Sequence, residues 1–235
     1  MSFTTPFFFQ ADITPQSTTL SVDESHHAVR VLRLQPGDEL AITNGAGLLI
    51  HARLRETAEK RCHFDVLSAE TQTPRPYRIH LAIAPTKNND RTEWMLEKLT
   101  ETGVEQVTLM RTQRSERDKI NLERFQKVAV GALKQSQQVF LPRIDGLVDV
   151  DKLLTVECDQ KFIAYVDAQN RAHLKHVAKP GSSYLILIGP EGDFTDAEVD
   201  AAQKTGFTPV SLGPTRLRTE TAGWVACQTL TFVNT

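Results

Sequence analysis

The chain has 235 residues, 40% of them hydrophobic and 24% charged, a composition ordinary for a globular protein and a length that can bury one large or two modest cores. A formal net charge of −2 argues by itself for no polyanionic partner, and no apolar run approaches the roughly 20 residues of a membrane span, so no membrane partner is expected. Cys62, Cys158 and Cys227 are few and far apart, which fits neither a disulfide framework nor a zinc site and suits buried free thiols.

The opening residues lack the basic flank and small-residue cleavage site of a signal peptide, so a cytoplasmic location is expected. Short strands are expected over 19–22, 39–43, 48–54 and 62–68. Gln35-Pro36-Gly37-Asp38 forms a turn between them, and Asn44-Gly45-Ala46-Gly47 reads as a hairpin loop. The helical signal here is 25–33, which would set Arg30 and Arg33 side by side on one face. His26 and His27 would point to different faces of that helix with no third ligand, so they read as capping or surface histidines, as do His173 and His176. Residues 1–72 therefore read as a small β domain, and the proline-flanked stretch 71–76 as the linker that ends it.

From residue 73 the pattern alternates strand and helix. Ile79, Leu81 and Ile83 mark a strand over 77–84, and Asp90 with Glu93 reads as a capping box for a helix ended by Gly103. A strand over 107–110, a helix over 121–138 and a strand over 162–167 follow. The aliphatic run 185–188 then breaks into Gly189-Pro190-Glu191-Gly192, and Thr195 with Glu198 opens a helix. A short strand over 209–212 runs into Gly213-Pro214, a basic patch and a last helix. Ala222, Val225, Ala226, Leu230 and Val233 form a stripe on that helix able to pack on a second copy. The order predicts an α/β fold with a mostly parallel sheet and helices on both faces. The two Gly-Pro loops are expected to leave neighbouring strands at their carboxyl ends and face one crevice.

Charge is distributed unevenly. Residues 1–72 carry six Arg and Lys against nine Asp and Glu, whereas 111–127 carry six basic against three acidic. The glycines do not fall as the dinucleotide fingerprint G-x-G-x-x-G, and there is no phosphate loop, Ser-centred nucleophile elbow or metal-ligand cluster. The two loops offer main-chain groups, small residues, Arg216 and Arg218, which suits a snug adenosine-like ligand beside an anionic substrate.

These residues carry a family resemblance. Ile188-Gly189-Pro190-Glu191-Gly192, Ser211-Leu212-Gly213-Pro214 and Leu217-Arg218-Thr219-Glu220-Thr221-Ala222 resemble the SPOUT, or α/β-knot, methyltransferases, and within them the ribosomal RNA small subunit methyltransferase E family. His26-His27 through Arg33 and Pro36-Gly37-Asp38 resemble that family's PUA-like β-barrel. Lys87, Arg91, Glu93, Lys98 and Glu101 resemble its first knot-domain helix, and Arg111-Thr112-Gln113-Arg114-Ser115 its basic loop.

The resemblance implies a trefoil-knot domain over 73–235, binding S-adenosylmethionine without a metal, after a PUA-like RNA-binding domain over 1–72. It implies N3 methylation of a uridine in 16S ribosomal RNA, within the assembled small subunit, by a homodimer. The methyl donor would be held near Ile188, Gly189, Pro190, Glu191, Gly192, Leu212, Gly213, Leu217 and Thr219. RNA would meet Arg30, Arg33, Lys87, Arg91, Arg111, Arg114 and Arg216, and Arg218 with Glu220 would act in catalysis. Asp193, Thr215-Arg216, Lys134 and Gln138 depart from the family pattern, and Asp tolerates the unusual backbone angles position 193 calls for. Two alternatives stay open: a non-catalytic knot-containing RNA-binding module, and a SPOUT enzyme acting on another nucleoside.

Overall fold

The computed structural model describes residues 5–165 and 172–235, so the end of the strand expected over 162–167 lies outside the described residues. The chain forms two compact units. The first comprises Met1–Pro74 with Val130–Leu141, and the second Arg75–Ala129 with Pro142–Thr235.

The first unit contains β1 (Phe7–Phe9), α1 (Val22–His26), a π-helical turn (His27–Val31), β2 (Glu39–Thr43), β3 (Leu48–Glu56) and β4 (His63–Thr71). The sheet runs in that order, with β1 parallel to β2 and the rest antiparallel. Alternation sets the inner face of β3: Ile50, Ala52 and Leu54 are buried while His51, Arg53 and Arg55 are exposed. Phe8, Leu40, Ile42 and Phe64 complete the core.

Two expectations fail here. Residues 19–22 make no strand, because Thr19 forms a single bridge to His63 and Ser21 instead caps α1, its Oγ accepting from the Glu24 amide at 3.3 Å. Arg30 and Arg33 do not share a helical face either: α1 gives way to the π turn at His27, and Arg33 lies beyond it at φ +57°. The segment 130–141 completes this unit. Lys134 Nζ meets the buried carboxylate of Glu24 at 2.9 Å, Gly47 N donates to Val139 O at 2.9 Å, and Leu141 N to Gly45 O at 2.8 Å.

The second unit runs β5 (Arg78–Ile83), α2 (Asn89–Glu101), β6 (Gln106–Arg111), the start of α3 (Leu122–Ser136), β7 (Arg143–Asp149), α4 (Val150–Leu154), β8 (Gln160–Ala164), α5 (Leu174–Val177), β9 (Ser183–Ile188), α6 (Asp196–Lys204), β10 (Phe207–Val210) and α7 (Thr219–Val233). Its six strands are all parallel in the order β10-β8-β9-β5-β6-β7. The expectation that the two Gly-Pro loops leave neighbouring strands is therefore corrected, since β8 lies between β9 and β10. The capping box at Thr195 and Glu198 forms as expected, but α2 is capped by Asn88, whose side chain accepts from Asp90 N at 2.9 Å. Asn sits one residue before the helix, where a short acceptor reaches the open amides that Asp90, already inside the first turn, cannot.

Strand β7 escapes sequence reading because Arg143, Asp145 and Gly146 interrupt its apolar pattern. Asp145 has a structural use. It accepts from Gln106 Nε2 at 2.7 Å, Arg143 Nε at 2.8 Å and Thr108 Oγ1 at 3.1 Å. Thr108 spends its only proton on Asp145, so His80, 2.8 Å from the same hydroxyl, donates from Nε2. Burial, outweighing the attraction of Asp145, lowers the His80 pKa to about 4. The histidine is neutral in the fold.

Helix α7 buries Gly223, Ala226, Cys227 and Leu230 against its own unit. Two of the five stripe residues, Ala226 and Leu230, are thus core, and the other three are partly buried. The three cysteines are unpaired, and burial raises the Cys227 thiol well above its usual range.

Candidate functional site

A cavity of about 770 Å³ opens at the carboxyl ends of β8, β9 and β10. Two loops build most of its wall. The first leaves β9 at Ile188, whose carbonyl accepts from Ala84 N at 3.0 Å. Gly189 then passes so close to Phe194 that a Cβ would lie 3.0 Å from its ring, and Phe194 is buried in the core. Asp193 N donates to Pro190 O at 2.9 Å, and Asp193 takes φ +62°, its carboxylate accepting from Phe194 N at 2.8 Å. The departure from the family pattern at Asp193 is accommodated by a residue type that tolerates the left-handed region.

The second loop leaves β10 and is closed by Ser211, whose hydroxyl accepts from Gly213 N at 3.2 Å and donates to Gly213 O at 3.1 Å. Gly213 sits at φ +144°, which side chains rarely adopt.

Of the expected donor contacts, Ile188, Gly189, Pro190, Glu191, Leu212, Gly213, Leu217 and Thr219 line the cavity. Gly192 does not. It faces a small neighbouring cleft with Lys87, Arg114 and Glu116. Ala164 and Tyr165, at the end of β8, also line the main cavity and were invisible to sequence reasoning, which did not place a strand between the two loops. Volume and lining fit a nucleoside-sized ligand: Ile188, Val210, Leu212, Leu217 and Ala222 give apolar walls, the two turns give main-chain groups, and Arg91, Arg216 and Arg218 give positive charge. S-adenosylmethionine has those parts.

The expected cations separate into two sets. Arg216 and Arg218 are exposed on the cavity wall, Arg218 at the N-terminus of α7. Arg111 is held by Asp149 at 2.7 Å, Lys87 by Glu116 at 2.9 Å, and Arg114 by the carbonyls of Gly192 and Phe194 at 2.8 and 3.2 Å. Arg91 bridges Glu191 at 3.3 Å and Glu220 at 3.8 Å. In the first unit, Arg30 pairs with Glu59 at 2.5 Å, while Arg33 is exposed.

Glu220, expected with Arg218 in catalysis, faces Arg91 and is not among the cavity-lining residues. Its carboxylate is buried, with Oε2 lacking a hydrogen-bond partner. His173 caps α5, its Nδ1 accepting from Lys175 N at 3.1 Å. Among the described residues no group of three His, Cys, Asp or Glu could hold a metal ion, and no helix is long and apolar enough to cross a membrane.

Residues 73–231 match the family described as RNA methyltransferase domain, and residues 20–67 the RNA methyltransferase PUA domain. A ribosomal RNA small subunit methyltransferase E from Synechocystis is 30% identical over 219 residues, spanning 89% of this chain and 71% of the relative. The chain belongs to the ribosomal RNA small subunit methyltransferase E family. Two solved structures extend the likeness. A probable rRNA-methyltransferase from Porphyromonas gingivalis is 43% identical, with a TM-score of 0.90 over 97% of this chain and 98% of the other. A Legionella pneumophila protein solved with the bound cofactor SAM is 27% identical, with a TM-score of 0.87 over 98% of each chain. The expectation of a PUA domain followed by an α/β domain with a parallel sheet agrees with the matched PUA family and the observed six-stranded sheet.

Proposed function

We propose that this methyltransferase E family member transfers a methyl group from S-adenosylmethionine to N3 of a uridine in 16S ribosomal RNA within the small subunit. The observation that carries the reading is the cavity walled by the β9 and β10 loops, with Arg216 and Arg218 exposed at its wall. The bound donor supplies the methyl on a sulfonium that leaves readily, so the protein's task is to position and polarise the acceptor. Uracil N3 carries a weakly acidic imide proton. As that proton passes to water, negative charge spreads to the flanking carbonyl oxygens, and the Arg218 guanidinium stabilises it. Ile188, Leu212 and Leu217 hold the donor in a dry slot, while Arg216 meets the RNA backbone.

Glu220 Oε1 lies 3.8 Å from Arg91 Nε, which supports a reading in which it helps hold Arg91 beside Glu191 on the cavity wall. The first unit contributes Arg30 and Arg33 to RNA positioning, which phosphate contacts do without reading sequence.

The active species is a homodimer in the cytoplasm, where ribosomes are assembled. Support comes from the outer face of α2 and α7. Trp94 is exposed and meets Trp224 edge to face at 6.4 Å, the Trp224 Nε1 is buried without an acceptor, and Phe232 is 70% exposed. Two exposed aromatic side chains, Trp94 and Phe232, on neighbouring helices are the kind of surface a subunit interface would cover. Light scattering at micromolar concentration should give twice the chain mass.

The reaction is tested by nucleoside mass spectrometry of 16S ribosomal RNA from a deletion strain. Loss of N3-methyluridine alone supports it. Loss of another methylated nucleoside would reassign the target, and an unchanged profile would leave a binding module.

A further inference from the structure

The loop 111–117 is basic, and its arginines invite a phosphate-binding role. Arg114 is committed elsewhere. Its Nη1 donates to Gly192 O at 2.8 Å and to Phe194 O at 3.2 Å, the two carbonyls on either side of Asp193. Asp193 sits at φ +62°, in the left-handed region, which Asp tolerates better than most residues with a side chain and which these two contacts hold in place. The stem of Arg114 also covers Gly192, where an added Cβ would lie 3.6 Å from its Cβ and Cδ.

A second tie runs beside the first. Gln113 N donates to Glu198 Oε1 at 2.8 Å, and the other oxygen of Glu198 accepts from Thr195 N at 2.8 Å, closing the capping box that follows the turn. The turn presenting Gln113 and Arg114 is itself fixed, with Ser115 N donating to Thr112 O at 3.1 Å and Thr112 N to Ser115 Oγ at 2.9 Å. Thr112 is buried.

We propose that Arg114 is a positioning residue: it latches the 188–194 loop by its main-chain carbonyls and so shapes the wall on which the methyl donor lies. The inference rests on reading the cavity as the donor site. It assigns to this arginine a task distinct from holding RNA, and it places the latch outside the cavity, since Arg114 is not a lining residue.

Full-length wild type, Arg114→Ala and Arg114→Lys are compared in three measurements: amide hydrogen exchange of residues 190–195, S-adenosylmethionine affinity by calorimetry, and RNA affinity against salt. Loss of a charge-assisted bond to two carbonyls should weaken donor binding by about tenfold in Arg114→Ala. Exchange at 190–195 should quicken, and the donor KM should rise more than kcat falls. Lysine, reaching one carbonyl, should recover part of both effects.

A phosphate contact would behave otherwise, lowering the salt slope of RNA binding by about one and leaving the donor loop alone. Donor affinity and exchange unchanged in Arg114→Ala, with that reduced slope, would overturn the latch. If the wild type binds no S-adenosylmethionine, the reading of the cavity fails, and the exchange measurement still decides the latch.

Discussion

Arg218 stands at the head of α7 with its guanidinium exposed on the cavity wall, and Glu220, two residues on, turns away to Arg91. Two residues apart in the sequence, the pair thus faces different surroundings. If Arg218 stabilises the anion forming on uracil, removing a preorganised charge costs on the order of a hundredfold in rate. Arg218→Ala should lower single-turnover methylation by about that factor with donor affinity little changed, and higher pH should restore part of the rate by deprotonating N3 without assistance. Loss of donor binding in proportion to activity would make the arginine part of the scaffold. His80 gives a second residue-scale expectation. Its folded pKa of about 4 lies below the 6.5 of an unperturbed imidazole. The unfolded chain therefore binds a proton the fold refuses, and stability falls as pH drops from about 6.5 to about 4, by an amount on the order of 2–3 kcal/mol. Urea unfolding at pH 7 and pH 4.5 should show that loss, and it should shrink in His80→Gln.

At the scale of elements, α7 is seated by an absence of side chain. A Cβ on Gly223 would lie 2.7 Å from Ile83 Cδ1, 3.2 Å from Leu81 Cδ2 and 3.3 Å from Met95 Sδ, all buried, so the helix rests directly on β5 and α2. Gly223→Val should cost about 1–3 kcal/mol through overpacking, read as a lower urea midpoint with an unchanged slope. The helix and its apolar stripe were legible, but which of its residues face inward was not, because periodicity marks a face without saying what covers it. The same limit explains the strands. Those with clean alternation or aliphatic runs, β3, β5 and β9, were readable, while β7 was hidden by the polar residues of its hydrogen-bond network. The order β10-β8-β9 could not be read from local pattern, since pairing partners are set by tertiary packing. The two Gly-Pro loops that wall the cavity were marked by their turn chemistry, whereas Ala164 and Tyr165 reach it only through that strand order.

For the whole molecule, the two units part at Pro74 and Arg75, within the proline-flanked linker, yet the first unit takes back Val130–Leu141. No composition shift announces that return; it depends on Lys134 finding Glu24 and on the strand-like pairing of Val139 and Leu141 with Gly47 and Gly45. A chain cut to residues 75–235 keeps Ala132, Leu133 and Val139 but removes what they pack in, so it should bind a hydrophobic dye more strongly than the full protein and melt at lower temperature. Equal melting temperature and equal dye binding would mean that the segment is stable by itself.

The returning segment also imposes an order on birth at the ribosome. Residues emerge from the amino end first, and most domains can close as soon as their last residue is out. Here the first 74 residues must wait until Leu141 has been synthesised, with the edge formed by Gly45 and Gly47 unpaired and the Glu24 carboxylate without its lysine. By then Arg75–Ala129 has emerged too, holding β5 and β6 but lacking β8, β9 and β10, the strands whose loops wall the cavity. The nascent chain thus completes its first unit before the cavity between the β9 and β10 loops exists.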